Sequence, residues 1–158
     1  MKKLPYVPVL CAIMLLSGCA TTSQPAKTAE DTAFYLARFD KVWDAAIASL
    51  AEEQIPIDSI NKNRGVISTK FVNYSVGPKA HQEIDAIAQK PSAARLAIWT
   101  QVGYTLNILI TPINDMSTKV KVTAHIEAYD KNVSQEWHEC ISNKVIENKI
   151  IEKIRAQL

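Results

Sequence analysis

Two runs of strictly alternating residues constrain this chain more than anything else in it. In Val102–Ile110, the residues Val102, Tyr104, Leu106, Ile108 and Ile110 alternate with Gly103, Thr105, Asn107 and Leu109. In Thr118–Tyr129, the residues Val120, Val122, Ala124, Ile126 and Ala128 alternate with Lys119, Lys121, Thr123, His125 and Glu127. Successive side chains of a strand point to opposite faces, so a period of two means strands with one buried and one wet face. The segment from Pro112 to Ser117 joins them, and the spacing predicts a long antiparallel hairpin. Its apolar face must be covered by the rest of the chain.

The coverage is supplied from both sides. Phe34, Leu36 and Phe39 fall in a short extended segment, a first strand. Asp40 is placed to cap a helix running to about Gln54, with Asp44 early in it where a carboxylate suits the dipole. Val42, Trp43, Ala46, Ile47 and Leu50 recur at three- and four-residue intervals and give that helix one apolar face. Pro56 forbids its continuation. Ile55–Ile60 and Val66–Val72 read as strands joined by the turn-rich Asn61–Gly65. Residues 73–101 read as an irregular excursion, with weak helical periodicity over His81–Gln89 and a break at Lys90-Pro91. A last helix is expected from about Ser134 to Gln157, with rows Trp137, Ile141, Val145 and Ile146, Ile150, Ile154, Leu158. The order predicts an α+β domain, an antiparallel sheet with two main helices packed on one face.

The N-terminus has a different character. Met1-Lys2-Lys3 precedes an apolar run from Leu4 to Leu16, and Leu16-Ser17-Gly18-Cys19 follows. The run is about 13 residues, short of the roughly 20 a membrane-spanning helix needs, and Pro5 and Pro8 would interrupt such a helix. A basic start, a short apolar core and small residues make a secretory signal. LSGC resembles the bacterial lipobox. That resemblance implies cleavage between Gly18 and Cys19, and acylation of Cys19 by diacylglycerol and a further, palmitate-like chain. Two or more acyl chains anchor a protein stably to the lipid bilayer. Ala20 after the cysteine, rather than aspartate, implies the periplasmic side of the outer membrane. The segment from Ala20 to about Thr32, ATTSQPAKTAEDT, has too little apolar surface to fold and reads as a tether. It would span about 20 Å on average and about 45 Å at full stretch. The expected organisation is a signal at 1–18, a lipidated tether at 19–32 and a domain at 33–158.

Cleavage before Cys19 removes Lys2 and Lys3, which brings Lys and Arg into balance with the 16 acidic residues. A neutral domain offers no electrostatic reason to expect nucleic acid. Of the three cysteines, Cys11 goes with the signal and Cys19 takes lipid. Cys140 is then the one thiol left, expected as a buried, inert group, with intermolecular pairing as the alternative.

Three short motifs carry a family resemblance: Phe39-Asp40-Lys41-Val42-Trp43, Asn63-Arg64-Gly65-Val66-Ile67-Ser68, and Trp137-His138-Glu139-Cys140-Ile141-Ser142-Asn143. With the element order over residues 34–157, they resemble the helix-grip domains of small envelope lipoproteins, including the outer-membrane barrel-assembly lipoprotein C family (BamC-like). The resemblance implies a helix-grip-like fold and a non-catalytic envelope adaptor.

Catalytic and cofactor motifs do not emerge from the residues. His125 and Glu127 share one strand face without a third ligand, and His81 reads as a loop residue. His138-Glu139-Cys140 lacks the second histidine of a zinc-protease helix. If residues 138–140 are helical, they point about 100° apart per residue and cannot share a proton. The four glycines are isolated, so no phosphate loop forms. Glu52-Glu53 is expected to face water, and Lys119, Lys121, Asp130 and Lys131 to make a mixed wet face. No catalytic residue, metal or cofactor is expected. Trp43 and Trp137 are assigned to the core. Tyr74 and Trp99, in or beside the excursion, either staple it to the domain or line a recognition groove. With Thr123 and His125 on the outer strand face, they are the candidate partner-binding residues. The leading expectation is an adaptor that binds another envelope protein. The alternative is a binder of a hydrophobic ligand or lipid in a cavity between helix and sheet.

Overall fold

The computed structural model describes residues 31–91 and 96–158, so the expected signal, Gly18, Cys19 and most of the expected tether lie outside the described residues. In chain order the elements are β1 (Thr32–Tyr35), α1 (Phe39–Glu52), β2 (Ile57–Asn61), a 3-10 turn (Lys62–Arg64), β3 (Val66–Thr69) and β4 (Val72–Val76). Then follow α2 (Ala80–Ile87), β5 (Ala88–Gln89), β6 (Trp99–Asn114), β7 (Ser117–Asp130), β8 (Trp137–Ser142) and α3 (Val145–Ala156). The domain is α+β, and its described residues form an eight-stranded antiparallel sheet with helices on one face.

β6 and β7 form the hairpin that the alternation predicts, paired from Asn114↔Ser117 at the tip to Trp99↔Asp130 at the base. Each outer edge of this ribbon is shared by two short strands. β3 pairs with β6 toward the tip, at Ser68↔Asn107, and β4 pairs with it toward the base, at Val72↔Tyr104. On the other edge β1 takes the tip half of β7, at Thr32↔Lys121, and β8 the base half, at Ile126↔Cys140. Outermost, β2 pairs β3 and β5 pairs β8.

Both changeovers fall on one rung, Leu106↔Ala124. There, among the described residues, the outward N–H groups have no neighbouring strand, and a buried backbone donor left without an acceptor is costly. Side chains fill the two vacancies. Leu106 N donates to Thr69 Oγ1 at 2.8 Å, and Ala124 N donates to Glu147 Oε1 at 3.3 Å. Glu147 is fully buried at the start of α3, where its Oε2 also accepts from Ser142 Oγ at 2.8 Å. Lys144 Nζ lies 3.5 Å from the same carboxylate and 3.3 Å from Asp31 Oδ2.

One face of the ribbon carries Val102, Leu106, Ile108, Val120, Val122 and Ile126, all essentially buried under the helices. α1 contributes Val42, Trp43, Ala46 and Leu50. Full burial of one such leucine is worth about 1.5–3 kcal/mol. α3 presents Ile146, Ile150, Ile151 and Ile154, and the Tyr35 hydroxyl donates to Ile151 O at 2.8 Å. Burial pushes that phenol up to about 12. The helix ends are cross-linked, because Glu52 and Glu53 do not simply face water. Glu53 pairs with Lys149, and Lys153 reaches Glu52 at 2.5 Å and Glu53 at 3.2 Å. These lysines hold both carboxyl groups below their ordinary range.

Several boundaries differ from the sequence reading. α1 begins at Phe39 with Arg38 at its N-cap, and Asp40 sits in the first turn, 2.9 Å from Lys62. The second hairpin strand is two strands, β3 and β4, that part at Lys70-Phe71 to serve different halves of β6. The excursion at 73–101 contains the rest of β4, a short helix held by Ala80, Ile84 and Ile87, and the start of β6. The largest correction concerns the last helix. Trp137–Ser142 is strand β8, because its edge meets the unpaired base half of β7, and Lys144 in the left-handed region (φ 70°) turns the chain into α3. Trp137 therefore leaves the core and is 42% exposed on the outer face.

Candidate functional site

The sheet face opposite the helices is the surface most available for recognition. Gly103 is central to it. A Cβ there would sit 2.3 Å from the Phe71 ring, so the absent side chain is what lets Phe71 approach β6 this closely. Phe71 meets Trp137 edge-on, with ring centroids 5.3 Å apart, and Tyr129 meets Trp137 at 5.6 Å. Three aromatic rings from the β3–β4 link, β7 and β8 thus form a half-exposed cluster. Such pairs add about 0.5–1.5 kcal/mol each beyond the area they bury.

Beside the cluster, at the hairpin base, lies an open cleft of about 930 Å³. Tyr129 and Gln101, paired across the hairpin, contribute to its lining. Val76, Pro78 and Ile98 add apolar surface, and Asn132, Gln135 and Lys131 come from the β7–β8 loop.

The rim of this cleft is built on Asp130. Its carboxylate, 1% exposed, accepts the backbone N–H groups of Ile98 at 3.0 Å, Asn132 at 2.9 Å, Val133 at 3.1 Å and Ser134 at 3.0 Å. Burial alone would raise its pKa. The bonds from Ser134, Asn132, Ile98 and Val133 outweigh burial and hold the group well below the usual carboxylate range. Lys131 N donates to Ile98 O at 3.0 Å, and Asn132 Nδ2 donates to Leu96 O at 3.0 Å. The strand approach at 96–98 and the β7–β8 loop are thereby locked together. Within that loop Gln135 holds a positive φ of 58°, a sparsely populated conformation for a residue with a side chain. Asp130 is an internal anchor, then, not part of a wet face with Lys119 and Lys121.

The four residues singled out from the sequence separate. Thr123 and His125 stand on the helix-free face, opposite Asn107 and Thr105. Tyr74, 40% exposed, sits where β4 bulges between Asn73 and Ser75. Trp99 is 1% exposed and packs edge-on against His138 at 5.5 Å, so its ring staples the base of β6 to β8 and offers no surface contact. Apart from Tyr129, at the end of the second alternating run, the residues that line the cleft lay in segments that gave no strand alternation. One cue was present: an aspartate at a strand end before Asn-Val-Ser favours an Asx-type turn.

His138 and Cys140 share the inward face of β8, two residues apart, rather than adjacent steps of a helix. Cys140 is buried, and burial pushes its thiol up to about 11. His138 Nε2 lies 2.6 Å from Ser134 Oγ, which lies 3.3 Å from Asp130 Oδ2. The hydroxyl stands between carboxylate and imidazole. A catalytic triad instead needs the imidazole in the middle, oriented by the carboxylate. Among the described residues no group of three His, Cys, Asp or Glu could hold a metal, and no helix is long and apolar enough to cross a membrane. A second open cleft, of about 440 Å³, lies between the start of α1 and the 3-10 turn, where Lys62 is already paired with Asp40 and lies 5.9 Å above the Trp43 ring.

No protein-family model matches the chain, and no curated protein matches it in sequence.

Proposed function

We propose that this chain is an acylated envelope lipoprotein whose domain is a non-catalytic adaptor, binding another envelope protein through the helix-free sheet face. The observation that carries this reading is that face: an uncovered β surface ending in an aromatic cluster and a rigidly built cleft. Aromatic residues with part of their area exposed are enriched at the centres of recognition surfaces. The lipobox-like LSGC and the polar segment after it supply the anchor and the reach in this proposal. The hydrophobic-ligand alternative would place its ligand between helices and sheet, where Trp99, Leu50, Ile108, Ile126 and Ile150 are buried.

Photocrosslinking in cells from Thr123 and from His125 tests the reading. A discrete protein adduct at these positions, lost when Cys19→Ala releases the chain from the membrane, is the expected result. Absence of any specific adduct at both positions would refute it.

A further inference from the structure

We infer that the cleft at the hairpin base is a peptide site that takes an extended segment carrying apolar side chains beside a carboxylate. The inference rests on the adaptor reading and names the chemistry of the partner segment. Three features of the cleft carry it.

The first is apolar. Val76 and Ile98 are 62% and 51% exposed on its lining, and Leu96 and Val133 stand exposed on the two segments that Asp130 ties together. Isolated exposed aliphatic residues are ordinary, but Val76 and Ile98 share one concave lining with Pro78, and Leu96 and Val133 extend apolar surface on the adjoining segments. The second is charge. Among the described residues, Lys131 is the one charged side chain lining the cleft, and no described carboxylate forms an ion pair with it. Asp130, directly before it, spends its charge on four backbone donors and is closed off from the cleft. The complement of a lone, unpaired ammonium is an anionic group. The third is rigidity. The bonds converging on Asp130 fix the 96–98 approach and the β7–β8 loop before any ligand arrives, so less ordering opposes binding than on a free loop. Gln101, Asn132 and Gln135 supply amides that both donate and accept, which suits the N–H and C=O groups of an extended backbone.

The test is selection from a random-peptide display library on the full chain held in detergent, followed by titrations read by fluorescence of Trp137, whose ring meets Tyr129 of the cleft. The selected peptides should place Asp or Glu within two positions of Leu, Ile, Val or Phe. Lys131→Glu, at an exposed and unpaired position, should weaken them by at least about tenfold. Changing their acids to lysine should do the same. Ile98→Asp provides a second variant, with circular dichroism confirming that both fold. Peptides selected without an acid, binding unchanged by Lys131→Glu, or no selection at all would overturn the inference. So would a neutral N-acetylated glycan oligomer binding there in place of peptides. A crosslink from Thr123 in cells with no peptide bound at the cleft would leave the adaptor reading standing and remove this one.

Discussion

Replacing Glu147 with alanine tests the account of how the sheet is closed at its middle rung. The substitution removes the acceptor from Ala124 N, the acceptor from Ser142 Oγ and one of the two carboxylates beside Lys144. The Ala124 amide lies between the ends of β1 and β8, where no other strand of the described residues reaches it. A buried donor left without a partner costs about 1–3 kcal/mol, and the partly buried Ser142 bond adds about 0.5–1.5 kcal/mol. Relief of the buried carboxylate's own desolvation works in the other direction. The expected net loss is about 2–3 kcal/mol. With a urea slope of about 1–3 kcal/mol per molar, the midpoint should fall by roughly 1–2 M. Glu147→Gln keeps an acceptor oxygen for Ala124 and should lose about half as much. Hydrogen exchange gives the local readout: the Ala124 amide should exchange far faster in Glu147→Ala, with Val120 and Ile126 less affected. A midpoint within about 0.3 M of the parent chain, with Ala124 still protected, would refute the argument that this carboxyl group closes the gap.

Other consequences can be measured as directly. Asp130 has a folded pKa below its unfolded value, so its contribution is complete above about pH 4 and is lost as pH falls through the folded value. Asp130→Asn should therefore melt earlier than the parent at pH 7, and the gap between the two should narrow as pH is lowered from 5 toward 2. A gap that widens would contradict the sign. The Cys140 thiol, raised to about 11, is about one-thousandth thiolate at pH 8. A disulfide reagent should react with it at least about a hundredfold more slowly in the folded chain than in urea. Gly103→Ala places a methyl carbon against the Phe71 ring and Val72 O. It should cost about 1–3 kcal/mol in thermal or urea unfolding and alter Trp137 fluorescence, since Phe71 must leave its place.

The hairpin and α1 were legible because each has an unbroken period over many residues, two for β6 and β7 and three-to-four for Val42, Trp43, Ala46 and Leu50. Trp137–Ser142 was misread for a definite reason. Trp137, Ile141 and Val145 fall at helical spacing by coincidence, while the alternation that matters, His138 and Cys140 inward and Trp137 and Glu139 outward, is short and chemically mixed. What makes it a strand is the open edge of β7, a tertiary fact. The candidate site was legible only in part. Thr123 and His125 follow from alternation, but Phe71, Tyr129 and Trp137 come from three distant segments, and no periodicity within a segment says that their rings meet. Trp99 shows the opposite failure, where an aromatic residue beside an irregular segment suggested a surface and the fold used it as core.

The shared rung at Leu106 and Ala124 bears on ancestry. The two halves of the sheet hold different strands and different helices, joined by one ribbon and by α3. Each half can drift, lengthen or lose an element without disturbing pairing in the other, provided the rung keeps its two acceptors. Descendants of a common ancestor could then diverge on both halves until little sequence likeness remains. A hydroxyl at the place of Thr69 and a carboxyl at the place of Glu147 would be the marks to seek in a distant cousin, ahead of any residue on its surface.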